Sequence, residues 1–458
     1  MFEKLQKARQ LARERGELRR LLDECRKLLT ERGESNSVAI AAGVIERYRA
    51  LPVDAVHALF SVLAAEFDPD PGEVLMLAEQ YAVSRTPENL IRLSRAAEPR
   101  RQELLRRLNR APQGTATIVA MRAQLLDRLR SDRQLAAVDA DFQHLLSSWF
   151  NPGFLNLVRV DWDSPARLLE QIIRHEAVHE IDGWGDLRRR LEPDRRCFAF
   201  FHPALPDEPL IFVEVALLPD MPGAIAPLLA RDGAGTTPAS RFKVAAFYSI
   251  SNCQPGLRGI NLGNFLIKRV AERIRAELPS VRTFCTLSPI PSFAQWLGGV
   301  EEIESARLKP ATLRSLNEAL LRWRARGSAQ APAERAAARA ATVTGEAAGM
   351  RVKAAPPVGE TSPDAEGNGD RDLKALCAFY LLHTSASEPP SDPVARFHLN
   401  NGARLERINT GADLSRKGMR ESHGLMVNYL YDLDEIESNH ERFIDGEVTA
   451  SRAVRASL

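Results

Sequence analysis

The sequence predicts an all-α N-terminal region followed by an α/β domain built on a mixed sheet. Three observations predict it. The chain has 458 residues, more than one compact core usually holds, so two domains are expected. Through residues 1–150 apolar side chains recur at helical spacing. After Asn151-Pro152-Gly153, short β-type runs alternate with helical ones, the pattern of an α/β layer. The expected division is therefore 1–150, a helical bundle for packing or oligomerisation, and 151–458, the α/β domain.

In the first region Leu11, Leu18, Leu21, Cys25, Leu28 and Leu29 share helical spacing, with Arg and Glu on the other face. Asp54 is placed to cap a helix carrying Val56, Leu59, Phe60, Leu63 and Phe67. Asp68-Pro69-Asp70-Pro71-Gly72 is a break, and Thr86-Pro87-Glu88 starts another helix with proline in its first turn. Pro112-Gln113-Gly114 breaks the pattern again before a helix over Thr117 to Leu129. In the second region, strands are expected over 197–202, 210–217, 244–251, 283–287 and 424–433, with a helix over 262–278. Residues 326–371 are rich in Ala, Pro, Gly and Glu and read as a mobile insertion. Its first half could form an Ala-rich helix, whereas its second half has too little apolar surface for a core.

Composition removes several function classes. The net charge of +2 provides no bulk basic field for nucleic acid. No run of eighteen apolar residues exists to span a membrane. The first residues lack the apolar stretch of a secretory signal, and Glu3, Glu14 and Glu17 argue against a transit peptide. The final Ala456-Ser457-Leu458 misses the peroxisomal Ser-Lys-Leu signal. Cys25, Cys197, Cys253, Cys285 and Cys377 are scattered, with no C-x-x-C pair, so neither a disulfide framework nor a zinc–thiolate site is expected. A cytoplasmic location fits these features.

Two stretches carry recognisable chemistry. His175-Glu176-Ala177-Val178-His179 matches the zinc-protease pattern H-E-x-x-H. On a helix its histidines would share one face, but no neighbouring signature supplies a third ligand. A surface helix that happens to carry two histidines is the plainer reading, and no metal site is expected. The second stretch is a strand–loop–helix running from Tyr248 through Ser249, Ser251, Asn252, Gln254, Gly256, Leu257, Arg258, Gly259, Asn261 and Gly263. Glycines there would let backbone N–H groups approach a diphosphate at a helix N-terminus. Taken alone, such a loop is equally a tight βα turn.

The spacing of Arg258, Asn261 and Gly263 resembles the acyl-CoA loop of the acetyltransferase superfamily, with Asn261 where glycine is usual. Three further runs follow: Thr286-Leu287-Ser288-Pro289-Ile290-Pro291, Asp392 to Ala403 around Arg396-Phe397-His398, and Gly424-Leu425-Met426-Val427-Asn428-Tyr429. Their order and type resemble the malonyl-CoA decarboxylase family from about His175 to Tyr431, and Glu176 to His179 also match that family. The resemblance implies a helical bundle fused to an acetyltransferase-like (GNAT) catalytic domain. It implies conversion of malonyl-CoA to acetyl-CoA and carbon dioxide without metal or biotin, with no cofactor beyond the CoA thioester itself. It places the catalytic serine and histidine on Ser288 and His398, and it implies a homo-oligomer, dimer or tetramer. Asn261 stands where the family often has Glu, so a carboxylate role there is not supported by this chain.

The expected mechanism follows from the chemistry. Loss of carbon dioxide leaves a thioester enolate, which backbone N–H groups within Ser249 to Asn252 would stabilise. Ser288 would orient the departing carboxylate, and His398 would protonate the α-carbon as a general acid. Ser249, Ser251, Asn252, Gln254, Gly256, Leu257, Arg258, Gly259, Asn261 and Gly263 would bind the CoA moiety. Lys268 and Arg269 are further phosphate candidates, and Asn400, Asn401, Ser422 and Tyr429 would line or support the cleft. The alternative is a CoA-dependent N-acyltransferase using the same loop. A zinc peptidase and a non-enzymatic helical scaffold are more distant rivals.

Overall fold

The computed structural model describes residues 2–230, 238–260, 262, 266–343, 363–384 and 392–458. Eight α-helices come first: α1 (Phe2–Thr30), α2 (Glu34–Ala50), α3 (Val53–Glu66), α4 (Pro71–Val83), α5 (Pro87–Ala97), α6 (Arg100–Asn109), α7 (Gly114–Leu129) and α8 (Ala136–Trp149). The breaks fall where the prolines and glycines place them. The Asp70 carboxylate accepts from the N–H groups of Gly72 and Glu73 at the start of α4, and the Thr86 hydroxyl accepts from Asn89 N–H at the start of α5. Asp54 is not a cap. Pro52 holds that position without a side-chain bond, and Asp54 sits in the first turn, where its charge complements the helix dipole.

The second region follows as β1 (Asn156–Val160), α9 (Ala166–His175), α10 (Gly183–Arg190), β2 (Arg195–Phe201), β3 (Ile211–Leu218), α11 (Ala226–Leu229), β4 (Val244–Asn252), α12 (Leu266–Glu277), β5 (Thr283–Thr286) and α13 (Phe293–Gly299). Then come α14 (Pro310–Val343), α15 (Pro363–Phe379), α16 (Pro393–Asn400), β6 (Arg404–Asn409), α17 (Arg416–Ser422), β7 (Met426–Tyr431), α18 (Ile436–Ile444) and α19 (Arg452–Arg455). The strands form one seven-stranded sheet in the order β1-β2-β3-β4-β5-β7-β6. Every pairing is antiparallel except β4 with β5, which are joined through α12. This is the acetyltransferase-type mixed sheet that the resemblance implied.

Strand β4 changes partners along its length. Its pairing with β5 stops at Phe247↔Thr286, whereas its pairing with β3 continues to Ile211↔Asn252. The β3 register slips between Glu214 and Val215, which leaves Tyr248 as an extra residue in β4. Such a bulge bends a strand and ends pairing on one side. The outer half of β4 is therefore splayed away from β5.

One apolar core runs through both regions. It includes Leu28, Phe60, Phe142 and Phe150 of the helical part, Phe198, Phe200 and Val213 of the sheet, and Val270 and Ile274 of α12. Each such side chain contributes roughly 1.5–3 kcal/mol on full burial. Leu169, Ile172 and Leu187 cover the opposite face of β2 and β3. Within the expected insertion 326–371 the Ala-rich first half is helical, as its composition allowed. Helix α14 extends to Val343 and α15 begins at Pro363, and Asp372 of α15 bonds Arg322 and Arg326 of α14 at 2.8 and 3.0 Å. Residues 344–362 lie outside the described residues.

Candidate active site

Three separated segments bring Ser288, His398 and Tyr431 together. Ser288 lies just past β5, where its N–H donates to Val427 O and its carbonyl accepts from Val427 N–H, fixing it beside β7. His398 lies in the last turn of α16. The Asp392 carboxylate anchors that helix by accepting from Val394 and Ala395 N–H, and also from Ser292 N–H at 3.1 Å. The Ser288 hydroxyl is 2.9 Å from His398 Nε2. The Tyr431 hydroxyl is 2.8 Å from Nδ1 of the same ring, and the Tyr429 ring stacks on it at 4.7 Å.

The proton positions in this relay follow from its far end. The Ser288 hydroxyl donates to Thr286 Oγ1 at 2.9 Å, and Thr286 Oγ1 also accepts from Tyr429 N–H. With its proton so directed, Ser288 Oγ accepts from His398 Nε2–H. His398 Nδ1 then accepts from the Tyr431 hydroxyl. Burial pushes His398 down to about 3, so the ring is neutral at pH 7. Burial likewise pushes the Tyr429 and Tyr431 phenols up. The general acid expected at His398 is thus a neutral imidazole rather than an imidazolium.

The H-E-x-x-H stretch is not helical. Helix α9 ends at His175, and Glu176 is its C-cap, so the two histidines do not share a helical face. Among the described residues, no group of three or more side chains able to hold a metal gathers. The Glu176 carboxylate instead accepts from Val178 N–H at 2.9 Å, from His179 N–H at 2.7 Å and from Ser249 Oγ at 2.7 Å. It also accepts from Ser251 Oγ at 3.2 Å. The Ser249 and Ser251 side chains, expected at the CoA moiety, are thus turned onto Glu176. Arg190 of α10 adds bonds to the carbonyls of His179 and Glu180 and to the buried Glu214 carboxylate.

Beyond β4 the chain makes a short 3-10 turn over Pro255–Leu257. The Asn252 side chain accepts from Gln254 N–H at 2.9 Å. The Gln254 side chain donates to Glu208 at 3.0 Å and to Pro209 O at 3.3 Å. Leu257 is buried, while Arg258 and Gly259 are exposed, with Gly259 at φ +77°. Gly256 presses on α7, where an added Cβ would lie 1.9 Å from Val119 O. Arg122 of α7 donates through Nη1 to Gly256 O at 2.7 Å and to Arg258 O at 2.8 Å. Asn261 and Gly263 lie outside the described residues.

The remaining expected residues divide. Tyr429 belongs to the relay. Asn401 donates to Phe397 O at 2.7 Å at the end of α16, and Ser422 donates to Gly418 O and Leu425 O at the turn into β7. Both side chains bond at helix ends. The Asn400 carbonyl meets His440 Nδ1 at 2.6 Å, tying α16 to α18. Lys268 pairs with Glu437 at 2.9 Å, and Arg269 donates to Leu155 O at 2.9 Å. Sequence reasoning missed Tyr431 and Thr286. Strand period held the signal for both, since Tyr431 follows Tyr429 by two residues and Thr286 precedes Ser288 by two.

Comparisons with known proteins identify the family. The family model for the malonyl-CoA decarboxylase C-terminal domain matches residues 153–458, and that for its N-terminal domain matches residues 67–150. Mitochondrial malonyl-CoA decarboxylase of Anser anser anser is 34% identical over 88% of this chain and 80% of its own length. The mouse protein of that name is 35% identical over 87% of this chain and 80% of its own. The crystal structure of malonyl-CoA decarboxylase from Rhodopseudomonas palustris is 46% identical, covers 96% of this chain and 99% of its own, and superposes with a TM-score of 0.80. The corresponding enzyme from Agrobacterium vitis is 44% identical, covers 95% and 99%, and has a TM-score of 0.76. The chain therefore belongs to the malonyl-CoA decarboxylase family.

Proposed function

We propose that the chain decarboxylates malonyl-CoA to acetyl-CoA and carbon dioxide at the Ser288–His398–Tyr431 relay. The observation that carries the reading is the continuous line of hydrogen bonds at the splayed edge of β4, with a dry, neutral imidazole at its centre. In this reading the Ser288 hydroxyl turns its proton from Thr286 to the substrate carboxylate and holds it out of the thioester plane, so the bond to the α-carbon breaks as carbon dioxide leaves. Its electron pair moves into the thioester as an enolate.

The oxyanion needs donors, and the sheet register supports two. Cys253 N–H donates to Leu210 O of the β3 side. By the alternation of an antiparallel ladder, Ser251 and Ser249 also face β3, whereas Ile250 and Asn252 direct their N–H groups toward the open side. Two backbone donors on the open side of the strand suit a developing oxyanion. His398 then gives its Nε2 proton to the α-carbon while Nδ1 takes the Tyr431 proton. The ring stays neutral through the transfer; Nδ1 then returns its proton to the tyrosinate while Nε2 takes from solvent the one proton the reaction consumes. The enolate is a far stronger base than a tyrosinate, so the transfer runs downhill.

The reaction is taken to need neither metal nor biotin, with the CoA moiety bound along the 249–259 stretch. The chain is taken to work as a homo-oligomer in the cytoplasm, which native mass spectrometry and cell fractionation test separately. For the reaction, malonyl-CoA is incubated with the purified protein with and without EDTA, and acetyl-CoA is followed by mass spectrometry. Formation of acetyl-CoA that ignores EDTA and is lost in Ser288→Ala and His398→Ala is the expected result. Malonyl-CoA left intact by the folded protein would overturn the proposal.

A further inference from the structure

We propose that Arg122, on the helical region's α7, is a positioning residue that aims the Gly259 N–H of the CoA loop at the diphosphate of malonyl-CoA. This rests on the reading of 249–259 as the CoA-binding stretch. The loop has two unlike faces. At Gly256 it is closed, since an added Cβ would strike Val119 O at 1.9 Å, while at Gly259 nothing among the described residues lies within 4 Å of the equivalent position. Arg122 works from the closed face. It is only 1% exposed, and its Nη1 reaches the carbonyls of both Gly256 and Arg258.

A trans peptide sets its C=O and the next N–H in opposite directions. Holding Gly256 O against Arg122 therefore turns Leu257 N–H away, and that donor is taken up by Gln254 O at 2.9 Å. Holding Arg258 O turns Gly259 N–H away in the same manner, onto the open face. The positive φ of Gly259 permits this peptide orientation, which other residues adopt only under strain. The guanidinium is itself fixed. Asp139 of α8 accepts from Nε at 2.8 Å and also accepts from Gln143 Nε2 at 2.7 Å. The helical region thus presets one anion-binding amide before substrate arrives, which saves ordering cost at binding.

Lysine has no planar fork and cannot hold Asp139 and two carbonyls at once. The test compares kcat/KM for malonyl-CoA and for malonyl-pantetheine, which lacks the 3′-phospho-ADP group, on the same preparation. Their ratio cancels the fraction of active protein, so partial unfolding does not mimic the effect. The wild type should strongly prefer malonyl-CoA. Arg122→Lys should reduce that preference about tenfold, the worth of one charge-assisted contact, mainly through KM for malonyl-CoA. An unchanged preference in the variant would overturn the role of Arg122 and leave the CoA-loop reading standing. A wild type without preference would overturn the CoA-loop reading itself. Should Arg122→Lys fail to fold, Gly256→Ala, which pushes the loop off α7 and spares the ion pair, decides by the same ratio.

Discussion

His398 is buried and His179 half-buried, and both rings are pushed below their ordinary value, yet their surroundings differ. His398 has a partner on each nitrogen, at 2.9 and 2.8 Å, and burial alone pushes it down. His179 is pushed down to about 4 by burial and then by the Arg190 charge, and its Nε2 is buried without a hydrogen-bond partner among the described residues. The residues around His398 come from three segments far apart in sequence. The backbone around His179 is strapped down by Glu176 and Arg190, and the charges near its ring are those of Arg190, Asp413 and Lys417. The local motif that looked chemical is scaffolding, and the lone histidine without a motif is the centre of the relay.

That contrast is sharpest in activity. His398→Ala and Ser288→Ala should each lower kcat by roughly 10²–10⁴-fold, the usual worth of a positioned proton-transfer group. Glu176→Ala removes an acceptor for two backbone and two hydroxyl donors. It should lower stability by about 1–3 kcal/mol, read as a shifted denaturant midpoint. Its activity loss should follow the loss of folded protein. A Glu176→Ala variant that stays fully folded and loses kcat as severely as His398→Ala would erase the distinction between relay and scaffold.

Tyr431→Phe sharpens the relay itself. It deletes the hydroxyl at Nδ1 and keeps the ring that packs 6.3 Å from Phe247, so folding should be spared. Removal of the second proton donor should cut kcat about tenfold or more, with KM little changed. An unchanged kcat would sink the two-nitrogen transfer and leave His398 drawing its proton from elsewhere.

The same contrast between local and long-range assembly marks what the sequence made legible. The five strands read from it, β2, β3, β4, β5 and β7, are the interior of the sheet, where covered faces demand apolar runs. The two that escaped, β1 and β6, are the two edges. Arg404-Leu405-Glu406-Arg407-Ile408-Asn409 is mostly polar because an edge strand meets solvent and must resist further pairing. Ser288 and His398 came through the family resemblance, not through pattern. Glu176 was quoted within a zinc-type motif, but its bonds to Ser249 and Ser251 depend on where α9 ends. The clasp of Arg122 on the CoA loop joins residues more than 130 positions apart, a separation at which no periodicity in the chain carries a signal.

The smallest expected effects are in pH dependence, and their sign follows from burial. His398 and His179 are held near 3 and 4 in the folded chain, against an ordinary value of 6.5 that the unfolded chain regains. Between pH 6.5 and about 4 the unfolded state therefore binds more protons than the folded one. Stability is fully present above that window and falls as pH drops through it. Each histidine contributes a slope of up to about 1.4 kcal/mol per pH unit. His398→Gln and His179→Asn should each flatten the dependence of the denaturant midpoint by a similar amount, because burial treats both rings alike. Activity should part them. A ring already neutral in the free protein gives kcat/KM for malonyl-CoA no inflection near the ordinary histidine value. His179→Asn should therefore leave that profile as it is. An inflection near 6.5 in the wild type that persists in His179→Asn would mean that His398 titrates in the free protein, and the neutral relay would have to be replaced by one that starts from an imidazolium.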